Sequence, residues 1–260
     1  MPNPETHETV LTPARYTDLE DRTVFVSGGA TGIGASIVQN LAEQGARVWF
    51  VDVNSDAGAA LSARAGDNVT FMSCDVTDAA VLQQTIGEAH AETGDLYGLV
   101  NNAAHDQRHR WSDVSPEGWD DIVAVNLKHQ YFAAQAAAPL IAASGGGGIA
   151  NFGSIAPTRG TPDLSVYSTC KAAVFGMTRS LAREFGEMGV RVNSVVPGAI
   201  LTERQLELWI TPDVESGLLA AQCLKRRMVE QDIADMVLFL LSQAARGCTG
   251  QEFRVDGGLF

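Results

Sequence analysis

Short runs of β-branched and aliphatic residues alternate along the chain with longer stretches whose apolar residues recur every three or four positions. The runs Thr23–Ser27, Arg47–Val51, Val69–Cys74, Gly98–Asn101, Gly148–Phe152, Arg191–Val195 and Glu252–Val255 read as strands. Most are apolar throughout, as expected where helices cover both faces of a parallel sheet. The stretches near 33–44, 56–65, 78–92, 116–140, 167–188 and 230–243 carry the helical period. This alternation predicts an α/β fold, a doubly wound seven-stranded parallel sheet with helices on both faces and a right-handed crossover at each step. Residues 1–20 are polar and proline-bearing and read as a loose tail, leaving 21–260 as one domain. The segment 198–229, with Trp209, Pro212 and Gly217, is long and irregular for a connection and is predicted to form a lid over a binding site.

Composition narrows the class. The chain has 260 residues, 45% of them hydrophobic, enough for a sizeable core. No apolar run approaches a membrane span, and no apolar signal core precedes the first strand, so a cytoplasmic location is expected. A net charge of −13 excludes a nucleic-acid partner, because Arg108–Arg110 is the densest basic spot and is too small for phosphate-backbone binding. Cys74, Cys170, Cys223 and Cys248 are far apart and lack metal-ligand spacing, which implies free thiols and no metal.

In open α/β sheets ligands bind beyond the carboxyl ends of the strands, where Gly28, Asp52, Asp75, Asn101, Ser154 and Pro197 all fall. The run Ser27-Gly28-Gly29-Ala30-Thr31-Gly32-Ile33-Gly34 ends the first strand and opens the first helix. Its glycines allow a tight turn that brings backbone N–H groups and a helix N-terminus up to a pyrophosphate. Asp52, which ends the second strand, can accept hydrogen bonds from both ribose hydroxyls and would repel a 2′-phosphate. With no Arg or Lys in Val53-Asn54, the expected cofactor is NAD rather than NADP. Asp75-Val76 would face the adenine; capping of the following helix is the competing role for Asp75. Tyr167 and Lys171, four apart on a helix, share a face. A nearby ammonium would favour the phenolate of Tyr167, and Ser154 lies where a loop can fold it onto the same face.

Gly28/Gly32/Gly34, Asn101-Asn102-Ala103, Asn126, Ser154, Tyr167-x-x-x-Lys171 and Pro197-Gly198 occur in order along residues 20–260. In these motifs the chain resembles the short-chain dehydrogenase/reductase family, with a single-domain Rossmann fold. The resemblance implies that Tyr167 is the general acid/base, that Ser154 hydrogen-bonds the reacting oxygen, and that Lys171 lowers the Tyr167 pKa and holds the nicotinamide ribose. It implies that Asn126 orders a proton-relay water. Cofactor contacts are expected from Gly28, Thr31, Gly32, Ile33, Gly34, Asp52, Val53, Asp75, Val76, Asn101 and Ala103. Tyr167, Lys171, Pro197, Gly198, Ile200 and Thr202 complete that set. Ala104 replaces the usual glycine after Asn-Asn-Ala, and Ser27 replaces the usual threonine.

Within the family, Arg108-His109, Asn126-Leu127-Lys128-His129, Asn151–Ile155, Thr202–Gln205, Trp209–Pro212 and Ala221–Lys225 resemble NAD-dependent bacterial aldose dehydrogenases. This implies oxidation of the C1 hydroxyl of a cyclic, D-xylose-like aldose to its lactone. Candidate sugar contacts are His105, Asp106, Arg108, Asn151, Ile155, Arg159 and Arg204. The arginines leave open a sugar bearing an anionic group. Another secondary alcohol or ketone, or a non-catalytic dinucleotide-binding module, are the rival readings. The resemblance also implies a homotetramer. Ala133, Ala134 and Ala136–Ala138 offer a small-residue face for it, which internal packing would explain equally well.

Overall fold

The structure, a computed structural model, describes residues 14–260. Seven parallel strands form one sheet in the order β3-β2-β1-β4-β5-β6-β7. They are β1 (Thr23–Ser27), β2 (Arg47–Asp52), β3 (Val69–Ser73), β4 (Gly98–Asn101), β5 (Gly147–Phe152), β6 (Val190–Pro197) and β7 (Glu252–Val255). The order turns back on itself between β1 and β4, which opens a crevice at their carboxyl ends.

Alternation along each strand divides the core in two. Val24, Val26, Val48 and Phe50 point to the face covered by α1 (Gly32–Glu43), α2 (Ser55–Ala65) and α10 (Glu230–Leu241). Phe25, Trp49 and Val51 point to the opposite face, covered by α3 (Ala79–Thr93), α5 (His129–Ala143) and α7 (Ser165–Phe185). Both faces are therefore interior, and strands such as β1 are buried at every residue.

The strands match the expected runs within one or two residues, but four elements differ. The helix expected over 116–140 is broken into α4 (Pro116–Val123), a π-helical turn (Ala124–Lys128) and α5. Such widened turns mark functional positions, and this one carries Asn126. A short helix, α6 (Ala156–Arg159), follows β5 where a plain loop was expected. The segment 198–229 is more ordered than its composition implies, with α8 (Glu203–Leu208) and α9 (Pro212–Ala221) capped by Thr202 and Thr211.

The fourth difference is the tail. Of residues 1–20, residues 1–13 lie outside those described, but 14–20 are docked. Leu19 is fully buried, the Tyr16 N–H donates to Gln44 Oε1 at 2.7 Å, and the Gln243 N–H donates to Asp18 at 2.7 Å. One apolar side chain among polar neighbours was too slight a pattern to show this. The alanine face of α5 is also settled. Ala133, Ala134, Ala137 and Ala138 are at most 1% exposed within the single chain, so their smallness serves internal packing, α3 included; Ala136 is partly exposed.

Because Leu19 fills a closed site, Leu19→Ala should lower stability by about 2–5 kcal/mol, measured as a shift of the urea unfolding midpoint. Removal of a loose tail residue would change nothing.

Candidate active site

The crevice is built from turns that lock one another. After β1 the chain turns at Gly28, whose φ of +68° suits glycine alone, and its N–H donates to Val51 O at 2.8 Å. A Cβ on Gly28 would lie 2.7 Å from Ala103 Cα, and one on Gly34 would overlap the Gly28 carbonyl oxygen. The turn after β4 closes over this loop: Asn102 Nδ2 donates to Gly28 O at 2.7 Å, and the Ala103 N–H donates to Ser27 Oγ at 3.2 Å. Ser27 thus keeps the hydroxyl that the turn needs. From the second strand, Asp52 Oδ2 accepts from the Ala30 N–H and Oδ1 from the Asn54 N–H, each at 3.0 Å.

These turns open onto a cleft of about 1590 Å³. Gly28, Thr31, Gly32, Ile33 and Gly34 line one end with Asp52, Val53, Asp75 and Val76. Ala103, Tyr167, Thr202, His105, Asp106 and Arg204 line the other. Asp75 holds Thr77 through its N–H at 2.9 Å and hydroxyl at 2.8 Å. The cap of α3 is Asp78 instead, which leaves Asp75 on the cleft wall.

Several expected residues stand elsewhere. Asn101 and Asn151 are fully buried and bond each other, Asn101 Nδ2 to Asn151 Oδ1 at 2.9 Å; Asn151 Nδ2 continues to Thr178 Oγ1 at 3.1 Å. They join β4 to β5 beneath the site, and neither lines the cleft. Arg159 lines a separate hollow with Leu218 and Phe260. Ile155 is buried and donates its N–H to Pro197 O. Gly198 allows close passage of the chain, since a Cβ there would lie 2.5 Å from Asp256 Cα. Ile200 is buried and bridged to Met228. Pro197, Gly198 and Ile200 therefore shape the end of β6 behind the cleft.

The polar wall differs from expectation in its pairing. Asp106 accepts from Arg204 Nη1, and from Gln205 Nε2 at 2.7 Å. Burial raises the Asp106 carboxyl, but those two hydrogen bonds outweigh it and leave the group below its usual range. The Arg108 guanidinium lies 4.4 Å from the Trp209 ring centre and is not part of the cleft lining. Gln107, His109 and Gln205 do line it; no sequence spacing distinguished them from solvated loop residues. Asn102 was legible as part of Asn-Asn-Ala, but not as the residue of that turn that holds Gly28.

Tyr167, Ser154 and Lys171 converge at the end of β5. Lys171 is 3% exposed; its Nζ donates to Phe152 O at 2.9 Å and lies 5.6 Å from the Tyr167 ring centre. Burial pulls this ammonium down to about 8. Burial also pushes the Tyr167 phenol up to about 12, against a lowering hydrogen bond from Ser154. In the protein alone, desolvation dominates the phenol. Asn126 is held on three sides. Its Oδ1 accepts from the His105 N–H at 3.0 Å, and its Nδ2 donates to His105 O at 3.1 Å and Ile122 O at 3.0 Å. The side chain anchors the loop after β4 and so fixes the Asn126 backbone within the π-helical turn.

The cradle fits a nicotinamide dinucleotide: bare backbone at Gly28 and Gly34 where a Cβ would intrude, a helix N-terminus, and Asp52 beside it. Comparison with known proteins agrees. The family model described as Enoyl-(Acyl carrier protein) reductase matches residues 28–260. A probable galactose dehydrogenase of Rhizobium meliloti (strain 1021) is 41% identical, over 96% of this chain and 99% of that protein. D-xylose 1-dehydrogenase of Caulobacter vibrioides is 43% identical, over 95% and 99%. A putative short-chain alcohol dehydrogenase from Sinorhizobium meliloti 1021 superimposes with a TM-score of 0.88 at 33% identity, over 94% of this chain and 98% of that one. The chain belongs to the short-chain dehydrogenase/reductase family of oxidoreductases.

Burial of Lys171 has a measurable cost. Unfolded, the ammonium titrates near 10.5; folded, near 8. Between these values the unfolded chain binds more protons, so stability rises with pH across that window. A Lys171→Met variant should lose this rise, which urea midpoints at pH 7.5 and 9.5 would show as a smaller pH difference than in the wild type.

Proposed function

We propose that the protein is an NAD-dependent dehydrogenase that oxidises the C1 hydroxyl of a neutral cyclic aldose to the aldonolactone. The observation that carries this reading is one continuous cleft, in which a dinucleotide cradle leads past Tyr167 to a wall of His105, Asp106, Gln107, His109 and Gln205. A wall so dense in hydrogen-bonding groups suits a polyhydroxylated ligand, because the groups of such a site need partners. The names of the relatives, galactose and D-xylose dehydrogenases, support a sugar.

Pairing within the wall favours a neutral one. Arg204 is paired with Asp106 and the Arg108 guanidinium lies over Trp209, so an anionic group would have to displace the one contact or compete with the other. Asp52, with no basic residue in Val53-Asn54, favours NAD over NADP.

In this reading Tyr167 removes the C1 hydroxyl proton, and the Ser154 hydroxyl bonds the same oxygen. Bound nicotinamide supplies the hydride acceptor. Lys171 places a positive charge beside the phenol, which favours the phenolate once the cleft is filled. Oxidation therefore gains with rising pH as Tyr167 gives up its proton. The same reading makes the enzyme cytoplasmic, where its four free thiols stay reduced. It also makes it a homotetramer. The outer side of α7, with Thr169, Ala172, Ala173 and Gly176 exposed, and the edge strand β7 are the surfaces that support this assembly. Among the described residues, no helix is long and apolar enough to cross a membrane.

A panel of pentoses, hexoses, sugar acids and simple secondary alcohols, each with NAD⁺ and NADP⁺, tests the substrate. NADH formation with a neutral aldose is expected; turnover of a non-sugar alcohol alone would overturn the sugar reading. Tyr167→Phe should cut kcat by about 10²–10⁴ while leaving NADH affinity, read by fluorescence titration, nearly unchanged. Asp52→Ala should narrow the preference for NAD⁺ over NADP⁺, measured as a ratio of kcat/KM.

A further inference from the structure

The strand β5 delivers Ser154 and the Phe152 carbonyl to the site, yet it outruns its neighbour. The β4–β5 register ends at Asn101↔Asn151, one residue before Phe152. On the β6 side the Gly153 N–H donates to Val195 O at 2.9 Å. Successive residues of a strand turn their backbone groups to opposite sides, so Phe152 points its N–H and C=O toward the side where β4 has already stopped. Lys171 Nζ reaches the carbonyl, but the Phe152 N–H, left there, would be buried without a partner.

Gln130, the second residue of α5, takes the missing strand's place. It is fully buried. Its Oε1 accepts from the Phe152 N–H at 3.2 Å, and its Nε2 donates to Phe152 O at 3.3 Å. The other Nε2 hydrogen goes to the Asn126 carbonyl at 3.1 Å. The orientation of the amide is fixed by this pattern, because the Phe152 N–H can face only an acceptor. One side chain thus pins the end of β5 to the π-helical turn that carries Asn126. The Phe152 carbonyl that Gln130 holds is also the one that accepts from Lys171 Nζ at 2.9 Å.

We propose that Gln130 is a positioning residue for the proton-transfer pair. By fixing the Phe152 carbonyl it sets where the Lys171 ammonium stands relative to Tyr167, and by fixing the end of β5 it sets where Ser154, two residues on, presents its hydroxyl. This rests on the reading of Tyr167 and Lys171 as the reacting pair, but not on the identity of the sugar. The charged and titratable groups around Lys171 are Tyr167 and Cys170 on α7, His129 on α5 and Asp106 on the loop after β4. Gln130 itself carries no charge, so its removal acts on position and not on the local balance of charges.

The test uses the full chain with Gln130→Leu, Gln130→Met and Gln130→Asn, all uncharged like glutamine. Two readouts are taken. The first is kcat and its pH profile with NAD⁺ and whichever alcohol of the panel the wild type turns over best. The second is the titration of Lys171 in the protein without substrate, followed by NMR with labelled lysine. The chain has only three lysines, Lys128, Lys171 and Lys225, so the resonance is assignable by Lys→Arg replacement of the other two.

A displaced ammonium should lower kcat by about 10- to 100-fold with cofactor KM little changed. It should also move both the pH profile and the Lys171 titration. Folded variants with kcat within about twofold of wild type and an unmoved Lys171 titration overturn the proposal, as does loss of folding in all three, which would make Gln130 purely structural. Because the titration needs no substrate, it separates this proposal from the sugar reading. A panel with no active aldose together with a shifted Lys171 would sink the sugar and leave Gln130 in place.

Discussion

Lys171 carries an ammonium almost wholly withdrawn from water, and a buried charge is costly unless it is solvated by the protein itself. Much of the architecture around the site can be read as the means of holding it there. The Phe152 carbonyl takes one of its protons at 2.9 Å. Gln130 holds that carbonyl, and the π-helical turn at Ala124–Lys128 brings the Asn126 carbonyl within reach of the same amide. The ammonium is drawn down and the phenol pushed up by one cause, the loss of water. A site held in this way keeps its charge state responsive to whatever fills the cleft above it.

The cofactor end depends on a different constraint, the closeness of two turns. Gly28 and Gly34 have no room for a methyl group, and Asn102 from the turn after β4 bonds the Gly28 carbonyl directly. The glycine-rich loop is thus shaped by β4 as much as by its own glycines. Asp52 ties its far side through the Ala30 N–H. The carboxylate expected to read a ribose is therefore already oriented by the loop that would hold the pyrophosphate, a form of preorganisation that reduces the ordering required on binding.

The other end of the cleft is organised by contacts between segments about a hundred residues apart. Asp106 joins Arg204 and Gln205 across the mouth of the cleft, and Arg108 rests on Trp209. Each contact is partly exposed, and such pairs contribute about 1 kcal/mol or less. They are strong enough to give the lid a preferred position and weak enough to be exchanged for ligand contacts.

How much of this was legible follows from where the information lies. Strand positions, the glycine turn, Asp52 and the Tyr167/Lys171 spacing are local patterns, and local patterns depend on backbone geometry that neighbouring residues alone impose. The docking of Leu19, the pairing of Asn101 with Asn151, and the removal of Arg159 to another hollow were not legible. In a sheet covered on both sides every strand residue is interior, so alternation assigns a face but does not say whether that face meets core or cleft. The sequence by itself thus determined the fold and the chemistry the site can support. Only the tertiary structure decided which polar side chains face the ligand and which are spent on one another, because a hydrogen-bonding group takes whichever partner the folded chain brings nearest.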